Sequence, residues 1–456
     1  MSQRVAIIGA GAKGAAIVAK AAALKTGGHT RPPPDIDLYD DQSIGASWRG
    51  ASGYTDGEQP LCTLAERDLG FPYDVQPWGR AVIAEMLSQF SWQAFSVTAP
   101  GRMRYNDWIV DGRRPPAHRV FADYLQHAVD AAIGAHVAKH VPRRVGSVDF
   151  DRGAGKWLVD SFDSGSRTTQ QERYDGIVIT GSGRPLPDLP NANPRVFNGQ
   201  TFWSSIAQIR TLLMADLDPS VVIIGAGGTA AAIAYWFVRK GLVALPILIV
   251  GHEATLFARH DGPFEDRMFS DDVAWQALAP HVKDAFLSRT TAGVVWDYVL
   301  RNLRSDNIGY ESYSARGFQV LSPAPKSRPP FLALELDAPP IPRTVATPGA
   351  TIAPVSMMPI PPLTTREATV FIDARGFDRW WFVNELFAGS TLQSTLKDKA
   401  GVRRTIGVDF CVRSPIPGQP FPDGLHVPAI GDVQGPAASN LMALGWIADR
   451  VLSRYC

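Results

Sequence analysis

The sequence predicts an α/β protein with two dinucleotide-binding Rossmann-like domains, the second inserted into the first. Three observations carry this. Residues 4–14 (RVAIIGAGAKG) join an apolar run to G-x-G-x-x-G at Gly9, Gly11 and Gly14, and an alanine-rich helix pattern follows over 15–24. The pattern returns at 220: an apolar strand over 221–224, G-x-G-x-x-A from Gly225 through Gly227 to Ala230, and a helix pattern to 238. Near the far end, a strand pattern over 426–432 closes on Gly431-Asp432 and runs through Gly435 into a helix pattern over 440–452.

A chain of 456 residues is too long for one ordinary core, so several domains are expected. Hydrophobic content of 45% fits a soluble globular protein, and a net charge of +1 argues against a nucleic-acid or polyanion partner. Three widely spaced cysteines, Cys62, Cys411 and Cys456, build neither a local disulfide framework nor a CxxC metal site, so no metal is expected and a reducing compartment is. No apolar run reaches the ~18 residues of a membrane span. The first residues lead straight into a strand with no signal-peptide pattern, so a cytoplasmic protein is expected.

Each element has its own warrant. Run 5–8 is a buried parallel strand. Gly9 permits the tight turn, Gly11 lets a pyrophosphate approach the backbone, and Gly14 lets helix and strand pack closely. The helix N-terminus then offers free N–H groups and partial positive charge to phosphates. Strand 36–39 ends at Asp40, placed for a ribose. Segment 43–78 is long, irregular and aromatic, which in a compact protein marks function. Residues 81–95 and 118–133 read as helices, and 145–150 with 156–161 as a β-meander. Strand 174–183 returns toward the first sheet. Strand 247–250 follows the second glycine turn. The proline-rich stretch 323–365 reads as an edge hairpin and loops, and 370–377 as a strand ending in a turn.

Two dinucleotide sites imply one resident cofactor and one that exchanges; FAD and a nicotinamide fit best. Disulfide reduction would need a cysteine pair beside the flavin, and Cys62 stands alone as a small packed hydrophobe. Oxygen activation needs no protein nucleophile, only a dry pocket and groups that orient the substrate. No catalytic side chain is therefore assigned. A Baeyer–Villiger enzyme would carry F-x-G-x-x-x-H before the second glycine turn; here Phe197-Asn198-Gly199 leads to Trp203 instead.

Taken together, GAGAKG (9–14), GASWRGASGYTDGEQPLCTLAERDLGFPYD (45–74), PPAHRVFADYL (115–125), TLFARHDGPFEDRMFSD (255–271), RTTAGVVWDYV (289–299) and QGPAASNLMALGWIADRVL (434–452) resemble the flavin-dependent N-hydroxylating monooxygenases of siderophore assembly. The likeness is to the lysine and ornithine N-monooxygenases, in particular the mycobactin-type lysine N6-hydroxylases. It spans nearly the whole chain in order. It implies that NADPH reduces FAD, that NADP+ shields a C4a-hydroperoxyflavin, and that a neutral side-chain amine attacks its distal oxygen. It implies no membrane or nucleic-acid partner, O2 and a small amine as reactants, and a homo-oligomer. L-lysine is the leading substrate. Ornithine, a diamine, another amino acid or a nitrogen heteroaromatic are the alternatives, and a flavin-binding redox protein without amine turnover is the non-enzymatic one.

The family's substrate-contacting Lys corresponds to Arg67, before Asp68, which keeps the charge and can grip a carboxylate in bidentate fashion. Its substrate-binding Asn corresponds to Asp266, a carboxylate that repels a substrate carboxylate and favours an ammonium. A further family Asn has no counterpart near 294–296. The expected FAD contacts are Gly9, Gly11, Gly14, Asp40, Trp48, Gln59, Asp432 and Gly435; the expected NADPH contacts are Gly225, Gly227, Thr229 and Arg259, the last with His260 for the 2′-phosphate. Trp203, Trp380 and Trp381 are expected as core or interface aromatics. The expected division is 1–205 and 367–456 for the FAD domain and 206–366 for the NADPH domain.

Overall fold

The computed structural model describes residues 3–456 apart from 53, 75–76, 164, 166–167, 182, 243, 254, 259–261, 291–293, 322–330, 338–363, 417 and 419. The chain forms two compact units. Unit 1 comprises Met1–Arg184, Asp261–Leu278 and Asp378–Cys456; unit 2 comprises Pro185–His260 and Ala279–Phe377. The division departs from the expected one in two ways. Residues 185–205 and 367–377 go to unit 2, because Val196–Asn198 and Val370–Asp373 are strands of its sheet. Residues 261–278 leave unit 2 in sequence but pack with unit 1.

Unit 1 is built on a parallel sheet of five strands. Its order is Leu425–His426, Gly176–Ile179, β1 (Arg4–Ile8), β2 (Asp35–Tyr39) and Ala138–Val141. The strands are apolar because both faces are covered. Helix α1 (Ala12–Thr26) follows β1, and nearly all of it is buried. Its alanines let it lie close to the sheet and to helices His118–Gly134 and Leu444–Leu452. In the middle of α1, fully buried Lys20 meets Asp449 of the last helix at 2.7 Å, and the Trp78 indole donates to Asp449 at 2.8 Å. Removing either ion would strand the other, at a cost of ~3–5 kcal/mol. An antiparallel meander, Arg144–Asp151, Lys156–Phe162 and Thr169–Tyr174, packs on one face of the sheet.

Unit 2 repeats the scheme. Its parallel order is Ile308–Ser312, Ile247–Gly251, Val221–Ile224, Val370–Asp373 and Val196–Asn198. Helix Gly228–Arg239 follows the central strand and buries Ala230, Ile233, Ala234, Trp236 and Phe237 in the unit's core. Strands Ser314–Leu321, Phe331–Asp337 and Thr364–Ala368 form an antiparallel sheet. They frame the proline-rich stretch, most of which lies outside the described residues.

Several elements differ from the sequence reading for local reasons. Helix 81–95 is broken at Ser91, whose hydroxyl accepts from Ala94 N and starts a new helix, Trp92–Ser96. The last helix begins at Leu444, because 436–439 winds into a 3-10 turn first. The strand from 370 stops at Asp373, where the carboxylate takes the Arg375 backbone and guanidinium. Trp203 is buried in unit 2, and Trp380 and Trp381 pack on the unit 1 core. No helix of the described residues is long and apolar enough to cross a membrane.

Candidate functional site

In unit 1 the Gly9–Gly14 turn leaves β1 under steric control from below and is open above. Gly9 has φ +109°, and a Cβ there would lie 2.6 Å from Thr180 Oγ1. A Cβ on Gly14 would lie 2.3 Å from Gly9 O. Those two glycines are required by the fold. Gly11 is not: its φ is −83°, and a Cβ would meet nothing within 4 Å. It is the N-cap of α1 and supplies no side-chain acceptor, so the helix N-terminus opens onto free space.

The Asp40 carboxylate accepts from Ala10 N at 3.0 Å and Gln42 N at 3.1 Å, and burial pushes its pKa up. Ala10 O accepts from Gly45 N, which brings the 45–48 turn alongside. Trp48 stacks on His118, centroids 5.4 Å apart, and lies against Phe121. Gln59 is buried and its carbonyl accepts from His118 N, while its Nε2 has no hydrogen-bond partner among the described residues. His118 itself is held neutral: burial pulls its pKa down to about 4, and its Nδ1 lies 3.2 Å from Thr55 Oγ1. Asp432, buried, accepts from Arg403 at 2.8 Å and has Arg379 at 3.7 Å. Gly435 lies under Trp446, 3.1 Å from where its Cβ would be.

The sequence reading did not single out Lys13, whose Nζ donates to Ala438 O at 2.7 Å, or Arg379 and Arg403, which flank Asp432. Lys13 carried a signal, a cation inside the glycine motif; the two arginines carried none.

The second cluster of unit 1 joins Arg67 to Asp266 directly, Nη2 to Oδ1. Arg67 is nearly buried and lies over the Phe71 ring at 5.2 Å; Asp266 is one-third exposed. The two residues expected at the substrate are thus partners of each other. Arg67 is placed by the turn that follows. Asp68 is buried and accepts from Gly70 N at 3.0 Å, Tyr73 Oη at 2.7 Å and Trp92 N at 2.8 Å. Loss of hydration still raises its carboxyl pKa to about 6. Asp266 sits in helix Pro263–Ser270, one of two acids in its first turn. Asp272 of the next helix fixes this segment to unit 1, accepting from Trp446 Nε1 at 3.0 Å and pairing with Arg450 at 2.5 Å.

In unit 2, Gly225 has φ +112° and a Cβ would lie 2.6 Å from Ala374 O. Gly227 is the N-cap of helix Gly228–Arg239, again with no side-chain cap, and a Cβ on Gly228 would meet nothing within 4 Å. Thr229, half-buried, stands in the first turn; its Cγ2 would lie 2.8 Å from a Cβ on Gly199. Arg259 and His260 lie outside the described residues. Where Asp40 follows β2 in unit 1, Gly251 occupies the matching place in unit 2, against Ala226. The position that carries a carboxylate in unit 1 carries none in unit 2.

A cluster outside both sites, Asp409, Cys411 and His426, gathers three potential metal ligands. Its members are already engaged: His426 Nδ1 with Asp409 O at 2.7 Å, Nε2 with Tyr455 Oη at 2.8 Å, and Asp409 with Arg413 at 2.9 Å.

These geometries sit in a fold seen before. The lysine monooxygenase NbtG of Nocardia farcinica, a structure described for its NADPH-domain conformation, matches with a TM-score of 0.73 at 25% identity, over 99% of this chain and 100% of that one. The Kutzneria sp. 744 ornithine N-hydroxylase KtzI, solved with reduced FAD, NADP+ and L-ornithine, matches with a TM-score of 0.68 at 16% identity over 100% and 99% of the two chains. The fold is that of the flavin-dependent monooxygenases. In sequence, the family model described as L-lysine 6-monooxygenase/L-ornithine 5-monooxygenase matches residues 82–301. The L-lysine N6-monooxygenase MbtG of Mycobacterium tuberculosis is 30% identical over 464 residues, 99% of this chain and 95% of that one. The chain belongs to the lysine/ornithine N-monooxygenase family.

Proposed function

We propose that this chain is an FAD- and NADPH-dependent monooxygenase that N-hydroxylates a primary amine, with the ε-amine of L-lysine as substrate. The observation that carries the reading is the repeated strand, glycine turn and helix at the same place in two five-stranded parallel sheets. Gly11 supports a cofactor in unit 1, since its missing Cβ serves nothing inside the chain. The unpartnered Gln59 Nε2 supports it too, a buried donor with capacity to spare. FAD there is held by Gly9, Gly11, Gly14, Asp40, Trp48, Gln59, Asp432 and Gly435, and NADPH by Gly225, Gly227, Thr229 and Arg259. Bound together they supply the redox chemistry, NADPH as reductant and the flavin as the group through which one oxygen atom of O2 reaches nitrogen.

The protein's own part is positional. Arg67 takes the substrate carboxylate with Asp266 beside it, so the far amine is presented and water is excluded by the aromatic wall of 45–74. A cytoplasmic homo-oligomer belongs to the same reading, on the family likeness alone. A second reading, an amine without a carboxylate, has one observation in its favour: Asp266 already occupies part of the guanidinium that a carboxylate would use.

The test is hydroxylamine and peroxide formation by the purified protein with NADPH and O2 across lysine, ornithine, aspartate, cadaverine, putrescine and a heteroaromatic amine. Product with lysine alone supports the first reading. Product only with diamines moves the assignment to the second. Peroxide with no hydroxylamine from any amine overturns both.

A further inference from the structure

Lys13 stands at a variable position of the glycine motif, and its Nζ donates to Ala438 O at 2.7 Å, a carbonyl in the 3-10 turn after Gly435. No carboxylate pairs with it among the described residues. Its charged neighbour is a second cation, Arg379. Arg379 stands 3.7 Å from Asp432, which already holds Arg403 at 2.8 Å. Three cations, Lys13, Arg379 and Arg403, stand with two carboxylates, Asp432 and the Asp40 that accepts from Ala10 N, which leaves an excess of one positive charge (three minus two). Ser439, next to the carbonyl that anchors Lys13, has a buried hydroxyl with no partner among the described residues. The α1 N-terminus adds its partial positive charge from the same side, capped only by Gly11.

We propose that Lys13 and Arg379 form a cationic clamp on the diphosphate of the dinucleotide held at the Gly9–Gly14 turn. The proposal rests on the FAD reading of unit 1 and adds to it a contact that the glycine motif does not contain. A diphosphate diester carries two negative charges, which the excess cation and the partial positive charge of the α1 N-terminus oppose. Without an anion the arrangement is costly: lost hydration and Arg379 pull the Lys13 ammonium down to about 7, and lost hydration lowers Arg379 as well. An anion reverses this, because a cation short of water gains most from a charge-assisted hydrogen bond. The charged groups facing Lys13 and the turn are Arg379, Arg403, Asp432 and Asp40; the 436–439 turn contributes only its carbonyl and the Ser439 hydroxyl.

The sign of the pH dependence follows. Near pH 7 the free ammonium is partly deprotonated, and the bound form is charged. FAD binding then takes up a proton above pH 7, and affinity falls as pH rises toward 9, by up to ~10-fold per unit.

The experiment titrates full-length protein, stripped of flavin, with FAD, ADP and riboflavin, following flavin fluorescence or calorimetric heat at pH 7 and 9. Far-ultraviolet circular dichroism confirms that each variant is folded. Lys13→Met is expected to weaken FAD and ADP ~10- to 100-fold, spare riboflavin and flatten the pH dependence. Lys13→Arg is expected to keep the affinity and also flatten the pH dependence, since arginine does not titrate. Arg379→Gln is expected to weaken FAD ~10-fold. Unchanged FAD affinity in Lys13→Met, with wild type binding FAD, overturns the clamp and leaves the FAD reading intact. Equal loss of FAD and riboflavin does the same, by placing the charge at the ring system. Wild-type protein that binds no FAD overturns the FAD reading and the clamp with it.

Discussion

The turns at 9–14 and 225–230 occupy the same place in their sheets and differ in their surroundings. In both, the first glycine donates its backbone N–H to the strand alongside: Gly9 to Tyr39 O at 2.8 Å, Gly225 to Val250 O at 2.6 Å. Both first glycines take positive φ, and both helices start from a glycine with no side-chain cap. The differences begin one residue further on. Unit 1 puts Asp40 at the end of the neighbouring strand and Lys13 in the first helical turn; unit 2 puts Gly251 and Thr229. The third glycine, Gly14, becomes Ala230. Charge is thus placed at two positions of the first turn whose counterparts in the second are uncharged. A site that must hold its nucleotide through many turnovers gains from fixed charges; a site that must release it each time gains from their absence.

The comparison can be broken most severely at Gly11. Gly11→Leu is expected to give a folded, colourless protein, because the side chain fills space that nothing in the chain uses. Flavin absorbance retained after gel filtration would place the FAD site elsewhere. Gly227→Leu is expected to spare the flavin and raise the KM for NADPH at least ~10-fold, the loss of about one good phosphate contact. An unchanged KM would remove NADPH from that turn. Thr229→Lys copies the cation of unit 1 into unit 2. It is expected to lower the KM for NADPH a few-fold at low salt, with the gain fading as ionic strength rises. A salt-independent KM would show that the helix start does not face phosphate. Asp266→Asn has the smallest expected effect, a few-fold lower KM for lysine and no gain for cadaverine, because it frees the Arg67 Nη2 from a competing carboxylate. Identical kinetics with both amines would take Asp266 away from the substrate.

What was legible in the sequence is what local rules govern. Strand 221–224 and the β1–α1 junction follow from apolar runs and from glycines that only one turn geometry suits. The Gly225 turn could be read for the same reason. The segment 261–278 could not: its place in unit 1 depends on Asp266 meeting Arg67 and Asp272 meeting Arg450, pairings between residues far apart in sequence. Helix Ala99–Val110 went unread because its apolar residues keep no clear helical period. Arg379 and Arg403 were unreadable for another reason. One lies in a turn and the other in the last turn of helix Lys399–Thr405, and neither stands out among surface arginines until the fold sets them round Asp432. Lys13 was readable in principle, as a charge where the motif tolerates any residue, but its meaning lies in the missing counter-ion.

The bond between Lys13 and Ala438 spans 425 residues. On the ribosome, the glycine turn is made 425 residues before the carbonyl that closes over it. The same delay applies to α1, whose buried Lys20 waits for Asp449. Until the final helix emerges, the growing chain carries an apolar, alanine-lined helix and a cation without their partners. The wall over the Gly9–Gly14 turn therefore closes in one step with the docking of helix Leu444–Leu452, and a chain lacking that helix would have neither a partner for Lys20 nor a covered α1.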